Sequence, residues 1–298
     1  MSRKLPPGWV PRYHGAWAMV TIPVLLGIAL GGFVLAHLLL LGTWWVGYFA
    51  FYAIGQWLRS ARPAGRSTSR QPRRTACARR RSGGSGGRRS GRSRFVRPAL
   101  TYTAIAAPLG VALLVVAPFL VRWAFAFAPL VVVSAWCYAR RNERSFLNDA
   151  ATVTAATLTL PVAYDLATHD LVAHGGLAAL PGSSPDGSVT GWAWIWIVTA
   201  VVGWYFLGTI FYVKTNIRER GDWAWFLASL LFHGAGLIGV LVLNAHLRLP
   251  LALPWLCGLI AIRAVAVPAW GYHRGWLPPI AIGLGEVAIS VALFLVFL

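Results

Sequence analysis

The sequence predicts an all-α fold, a polytopic transmembrane bundle of about nine spans, and three observations carry that expectation. Nine apolar stretches each approach the ~20 residues that cross a ~30 Å hydrocarbon core at ~1.5 Å rise per residue. Hydrophobic residues make up 57% of the 298-residue chain and charged residues only 12%, which excludes an ordinary soluble domain. Lys and Arg also recur in every second connection, as in a chain threaded back and forth across a bilayer.

The N-terminal arm, 1–16, is basic and contains Pro and Trp. The first apolar stretch, about 17–35, is too long for a cleavable signal and runs straight into the bundle, so it reads as span one. Span two, about 38–58, carries Trp44 and Trp45 near its start. Residues 59–98 are Arg-rich and nearly devoid of apolar side chains, so they read as a disordered loop. Spans three to nine follow at about 99–118, 121–139, 150–167, 192–213, 223–243, 250–270 and 279–297. With 17–58, the segment 99–298 makes one membrane domain. Lipid offers no hydrogen bonds, so each span should be helical, and Pro23, Pro108, Pro129, Pro161 and Pro268 read as kinks. Tryptophans cluster near span ends, at Trp123, Trp192, Trp194, Trp196, Trp223, Trp225, Trp270 and Trp276, as an interfacial belt would place them.

Basic residues follow spans two, four, six and eight, at Arg59–Arg97, Arg140–Arg144, Lys214–Arg220 and His273–Arg274. The longest alternate connection, Thr168 to Thr190, has two aspartates, Asp170 and Asp186, and no Lys or Arg. Arg122 and Arg248 are the exceptions. The positive-inside rule then places the N-terminus in the cytoplasm and the C-terminus outside. The net charge of +19 owes 14 arginines to 59–97. Attraction of that loop to anionic headgroups is the economical reading. Apart from Phe95 near its end, no aromatic residue interleaves with its arginines, so no specific nucleic acid is expected. Cys77, Cys137 and Cys257 have neither metal nor redox spacing.

Four polar constellations lie on the basic side. His14, just before span one, could bind an anionic headgroup or simply sit in the wet interface. In the loop after span four, Arg141 and Arg144 could hold phosphate, while Asn142, Asn148 and Asp149 supply oxygens suited to Mg²⁺. Asn148 or Asp149 would serve equally as the cap of span five. After span six, Lys214 and Arg218 stand one helical turn apart and could likewise hold phosphate, with Glu219 and Asp222 following as further acidic candidates for a metal. Finally, Arg263 and Glu286 lie about seven residues inside the basic ends of spans eight and nine, ~10 Å deep. Isolated charges there are costly, so the two should pair or line a wet cavity. His233, near the middle of span seven, reads as a satisfied interhelical histidine.

A family resemblance follows from these motifs. His14-Gly15-Ala16-Trp17-Ala18-Met19, Arg141-Asn142-Glu143-Arg144-Ser145 with Asn148-Asp149, Phe211-Tyr212-Val213-Lys214-Thr215 with Ile217-Arg218-Glu219-Arg220, and Ile282-Gly283 with Glu286 resemble the YwiC-like family of bacterial membrane proteins. The resemblance covers the whole chain except the Arg-rich loop, and it implies an uncharacterised integral protein of the bacterial inner membrane. In span count and loop polarity the chain is also distantly similar to UbiA-type intramembrane prenyltransferases. That likeness implies Mg²⁺ held against a prenyl diphosphate by aspartate-rich motifs after spans two and six. The chain departs from the first motif, reading Gln56-Trp57-Leu58-Arg59, and offers only Glu219 and Asp222 at the second. Two functions of different class stay open. One is binding or processing of an isoprenoid or lipid phosphate at the cytoplasmic leaflet. The other is ion-coupled transport through Arg263 and Glu286.

Overall fold

The computed structural model describes residues 8–11, 16–61 and 87–298. Among them are nine α-helices: α1 (Ala16–Gly31), α2 (Ala36–Ala61), α3 (Gly87–Val116), α4 (Ala124–Ala139), α5 (Phe146–Gly175), α6 (Gly191–Val213), α7 (Trp223–Leu247), α8 (Ala252–Arg274) and α9 (Pro279–Val296). A 3₁₀ segment, Pro118–Trp123, leads into α4, and one π turn, Lys214–Arg218, ends α6. The described residues hold no strand, only an isolated bridge between Ser183 and Thr190. The fold is all-helical.

Helices α1, α5 and α6 form the centre. Gly27 and Gly31 lie one turn apart on α1, and the missing side chains let it approach α5 closely. A Cβ on Gly27 would sit 2.2 Å from the Leu160 carbonyl oxygen and 2.9 Å from the Ala163 Cβ. On Gly31 it would lie 3.0 Å from the Ala167 Cβ. Small residues thus face small residues, the packing that membrane helices use where no water drives association. Trp44 Nε1 donates to the Val20 carbonyl at 2.8 Å, tying α2 to α1.

Helix α5 carries several buried polar side chains, and its environment accommodates them. Thr157, Thr159 and Thr168 are buried, and their hydroxyls donate back to Val153, Ala156 and Tyr164 carbonyls at 3.0, 2.6 and 2.8 Å. Each buried hydroxyl is satisfied within the helix. The periphery is the reverse. Val115 on α3, Leu231 on α7, Ile262 on α8 and Leu295 on α9 are 76%, 63%, 66% and 62% exposed. Apolar surface on this scale belongs against lipid. Among the described residues, seven helical segments are long and apolar enough to cross a bilayer; α1, at 16 residues, is apolar but shorter. The protein is an integral membrane bundle.

The structure departs from expectation in four places. Helix α3 begins at Gly87 and α2 runs to Ala61, so the segment read as disordered over 59–98 is helical at both edges, while 62–86 lies outside the described residues. Arginine is a good helix former, which composition alone conceals. Helix α5 extends from Phe146 to Gly175, well past the apolar run at 150–167. Trp194 is buried against Phe297, and Trp44 and Trp123 donate hydrogen bonds within the protein, so the tryptophans are not all interfacial. His233 Nδ1 meets its own helix, at the Ser229 carbonyl oxygen 2.7 Å away, rather than a polar group on another helix.

Candidate functional site

At the end of the bundle where α4, α6 and α8 terminate lies a cavity of about 380 Å³. It is walled by the starts of α1, α5 and α9 and the ends of α2, α4 and α6. Tyr48, Phe51, Tyr52, Phe206, Ile210 and Val213 make its sides largely apolar. Gln56, Glu143, Arg144, Asn148, Asp149 and Arg218 form its polar lip. Glu286 and Ser290 line its inner part, with Glu286 about 10 Å along α9 from Pro279 at ~1.5 Å per residue.

The lip is built by the α4–α5 connection. Helix α4 closes at Arg140, and Arg141 takes a left-handed backbone with φ 59°. Ser145 then adopts an extended backbone, and its Oγ accepts from the Asn148 N–H at 3.3 Å. The cap of α5 is therefore Ser145, not Asn148 or Asp149, because the chain turns into the helix at Phe146, ahead of the apolar run that begins at 150. This frees Asn148, whose Nδ2 donates to the Glu143 carbonyl at 2.8 Å. Glu143 pairs with Arg59 of α2 at 2.6 Å. Arg144 has no ion-pair partner among the described residues.

The opposite side of the lip comes from the π turn after α6, a widened turn of a kind often found at functional sites. It brings Lys214 and Arg218 toward the same carboxylate. Arg218 Nη1 donates to Asp149 Oδ2 at 2.9 Å, and Lys214 Nζ lies 3.9 Å from that oxygen. Lys214 is buried, donates to the Arg144 carbonyl at 3.1 Å, and sits 4.8 Å from the Trp225 ring centroid. It supports the lip from behind.

The remaining predicted residues are elsewhere. Asn142 and Arg141 are exposed and outside the cavity lining. Asp222 caps α7, accepting from the N–H groups of Ala224 and Trp225 at 2.8 and 3.3 Å. Glu219 is exposed. The acidic candidates Asp149, Glu219 and Asp222 therefore do not fit a Mg²⁺ site: one is held by two cations and another by a helix start. Among the described residues no three His, Cys, Asp or Glu side chains cluster for a metal. His14 lies outside the described residues.

In the interior, Arg263 Nη1 donates to Glu286 Oε1 at 2.5 Å. The guanidinium lies 4.0 Å from the Tyr212 ring centroid, a cation–π contact in a desolvated setting. The Tyr205 hydroxyl is 3.1 Å from both Glu286 Oε2 and Ser290 Oγ, while Ser290 donates to the Glu286 carbonyl at 2.7 Å. Glu286 faces the cavity and Arg263 stands behind it.

Sequence reasoning missed a second interior charge. Asp165 on α5, only 2% exposed, accepts from Arg122 and, at 2.7 Å, from Trp123 Nε1. The signal was available: an aspartate inside the fifth apolar stretch, beside an arginine that broke the charge pattern. Nearby, fully buried His37 bridges the α1–α2 turn to α5, accepting from the Val34 N–H at 3.0 Å and donating from Nε2 to the Ala163 carbonyl at 2.9 Å. These contacts lie at the opposite end from the cavity.

The model of the YwiC-like protein family matches residues 10–164, which supply α1 to α4, most of α5 and five of the six residues of the lip. The chain belongs to the YwiC-like family. It is 28% identical over 294 residues to the Bacillus subtilis (strain 168) protein described as uncharacterized protein YwiC, covering 96% of this chain and 95% of that one. It is also 28% identical over 174 residues to an uncharacterized protein of Haemophilus influenzae, covering 58% of this chain and 60% of the relative. No solved structure matches. The likeness of this YwiC-like chain to UbiA-type enzymes thus rests on its span count and loop polarity alone.

Proposed function

We propose that this YwiC-like protein binds a phosphorylated amphiphile, an isoprenoid or lipid phosphate, in the cavity at its basic end. The observation that carries the reading is the cavity's polarity gradient. Apolar walls from α1, α2 and α6 suit a hydrocarbon tail, and Arg144 and Arg218 at the lip suit a phosphate. Arg144 is the better anchor, because Arg218 is already ion-paired with Asp149. By the positive-inside rule this end faces the cytoplasm, so the ligand comes from the cytoplasmic leaflet of a bacterial inner membrane. The Arg-rich segment would add attraction to anionic headgroups there.

A second reading, ion-coupled transport, draws on the Arg263–Glu286 pair reaching the inner part of the same cavity. The two separate experimentally. Thermal-shift titration of the detergent-solubilised protein with prenyl diphosphates and phospholipids should show saturable stabilisation that Arg144→Ala weakens. No shift with any of them would remove phosphate recognition and leave flux assays on Glu286 variants as the next step.

A further inference from the structure

Among the described residues, the lip of the cavity has two buried oxygens with nothing to accept from: Glu143 Oε2 and Asn148 Oδ1 each lack a hydrogen-bond partner there, and both residues line the cavity. Asn148 is 5% exposed, and its amide orientation is set by the Nδ2 bond to the Glu143 carbonyl at 2.8 Å, since a flipped amide would set two oxygens against each other. Glu143 gives its other oxygen to Arg59. A buried acceptor left without a donor is costly, and native proteins rarely leave two together without a use.

Arg144, which has no ion-pair partner among the described residues, sits in sequence between these two acceptors, on the same short connection. Across the lip, the Arg218 guanidinium is taken up by Asp149. Among the described residues the lip thus holds one guanidinium without an ion pair and two buried oxygens without a donor. A bare phosphate would meet the first and be repelled by the second. A headgroup that carries a hydrogen-bond donor beside its phosphate would satisfy both.

We propose that the preferred ligand is a phosphodiester amphiphile whose headgroup bears a donor, hydroxyl or ammonium, with the phosphate on Arg144 and the donor on Glu143 and Asn148. This rests on the cavity being a phosphate-amphiphile site, and it narrows the class away from simple prenyl diphosphates, which carry no such donor.

The test compares three dioctanoyl phospholipids on the full-length solubilised protein by calorimetric titration. Phosphatidylmethanol has the diester charge and no donor, phosphatidylglycerol adds hydroxyls, and phosphatidylethanolamine adds an ammonium. The expected result is that at least one donor-bearing lipid binds about tenfold or more tightly than phosphatidylmethanol, as one well-made bond to a charged group allows. The better of the two identifies the donor. In Glu143→Gln that preference should fall toward one, whereas Arg144→Ala should weaken all three together. Equal binding of the three lipids by the unaltered protein would overturn the donor proposal while leaving the phosphate reading standing. A preference that survives Glu143→Gln unchanged would move the donor site off Glu143 and overturn it as well. Failure of all three to bind would remove the underlying site.

Discussion

Removing the Glu286 carboxylate should be among the most destabilising single changes in this protein. Arg263 and Glu286 have side chains only 13% and 6% exposed. Among the described residues, Arg263 Nε and Nη2 have no partner, so Nη1 to Glu286 is its one hydrogen bond there. In Glu286→Leu the guanidinium would keep only the Tyr212 ring, a contact worth about 2 kcal/mol when desolvated. Breaking a buried pair from one side costs about 3–5 kcal/mol, because a charge is left uncompensated. Arg263→Leu should cost a similar amount. The double variant, with both charges gone, should return to within about 1–2 kcal/mol of the parent, since apolar replacement of a buried pair is often neutral. The assay is equilibrium unfolding in mixed micelles, followed by fluorescence of the chain's 16 tryptophans. Single variants within about 1 kcal/mol of the parent, or a double variant equal to the sum of the singles, would refute the view that the two charges depend on each other.

Gly27→Ala should destabilise by about 1–3 kcal/mol or more in the same assay, because its Cβ would fall 2.2 Å from the Leu160 carbonyl oxygen on α5 and the helices must part. Parent-like unfolding would mean α1 and α5 do not cross so closely. Asp165→Asn should cost about 1.5–3 kcal/mol by weakening the charge-assisted bonds from Arg122 and Trp123, and a cost near zero would show that Asp165 is not their anchor. In the α5–α6 loop, Asp186 accepts from the Ser184 and Ser188 hydroxyls and the Ser188 N–H, which together hold its carboxyl down to about 2. A depressed carboxylate supports the loop above the ordinary range near 3.8 and loses that support as pH falls through about 2. Carboxyl-carbon NMR should therefore place its midpoint near 2; a midpoint near 3.8 would mean the serines do not hold it.

What could be read from the sequence was whatever depends on one dimension. Apolar run length gave nine helices, and register along two neighbouring spans set Arg263 and Glu286 at one depth. The structure puts them 2.5 Å apart. Asp165 was hidden because an apolar run averages over a single acid, and Arg122 read only as an exception to the loop charges. The cap of α5 was misplaced because Asn148 and Asp149 suit the role chemically, while the deciding factor was where the backbone turned extended at Ser145. The cavity needs residues from six helices at once. No local pattern encodes that arrangement, and Tyr48, Phe206 and Asn148 gave no sign of sharing a wall. The role of Asp222 was hidden for a related reason: as a metal candidate it was read from its chemistry, while the backbone uses it to start α7.

The most direct measurement is photo-crosslinking in membranes with a phospholipid phosphate whose tail carries a diazirine, with adducts mapped by mass spectrometry. Labelling of Phe51, Tyr52, Phe206 or Ile210, competed by unlabelled lipid and lost in Arg144→Ala, is the expected result for a tail held in this cavity. Labelling confined to the outer faces of α3, α7 and α8, indifferent to competitor and to Arg144, would contradict it.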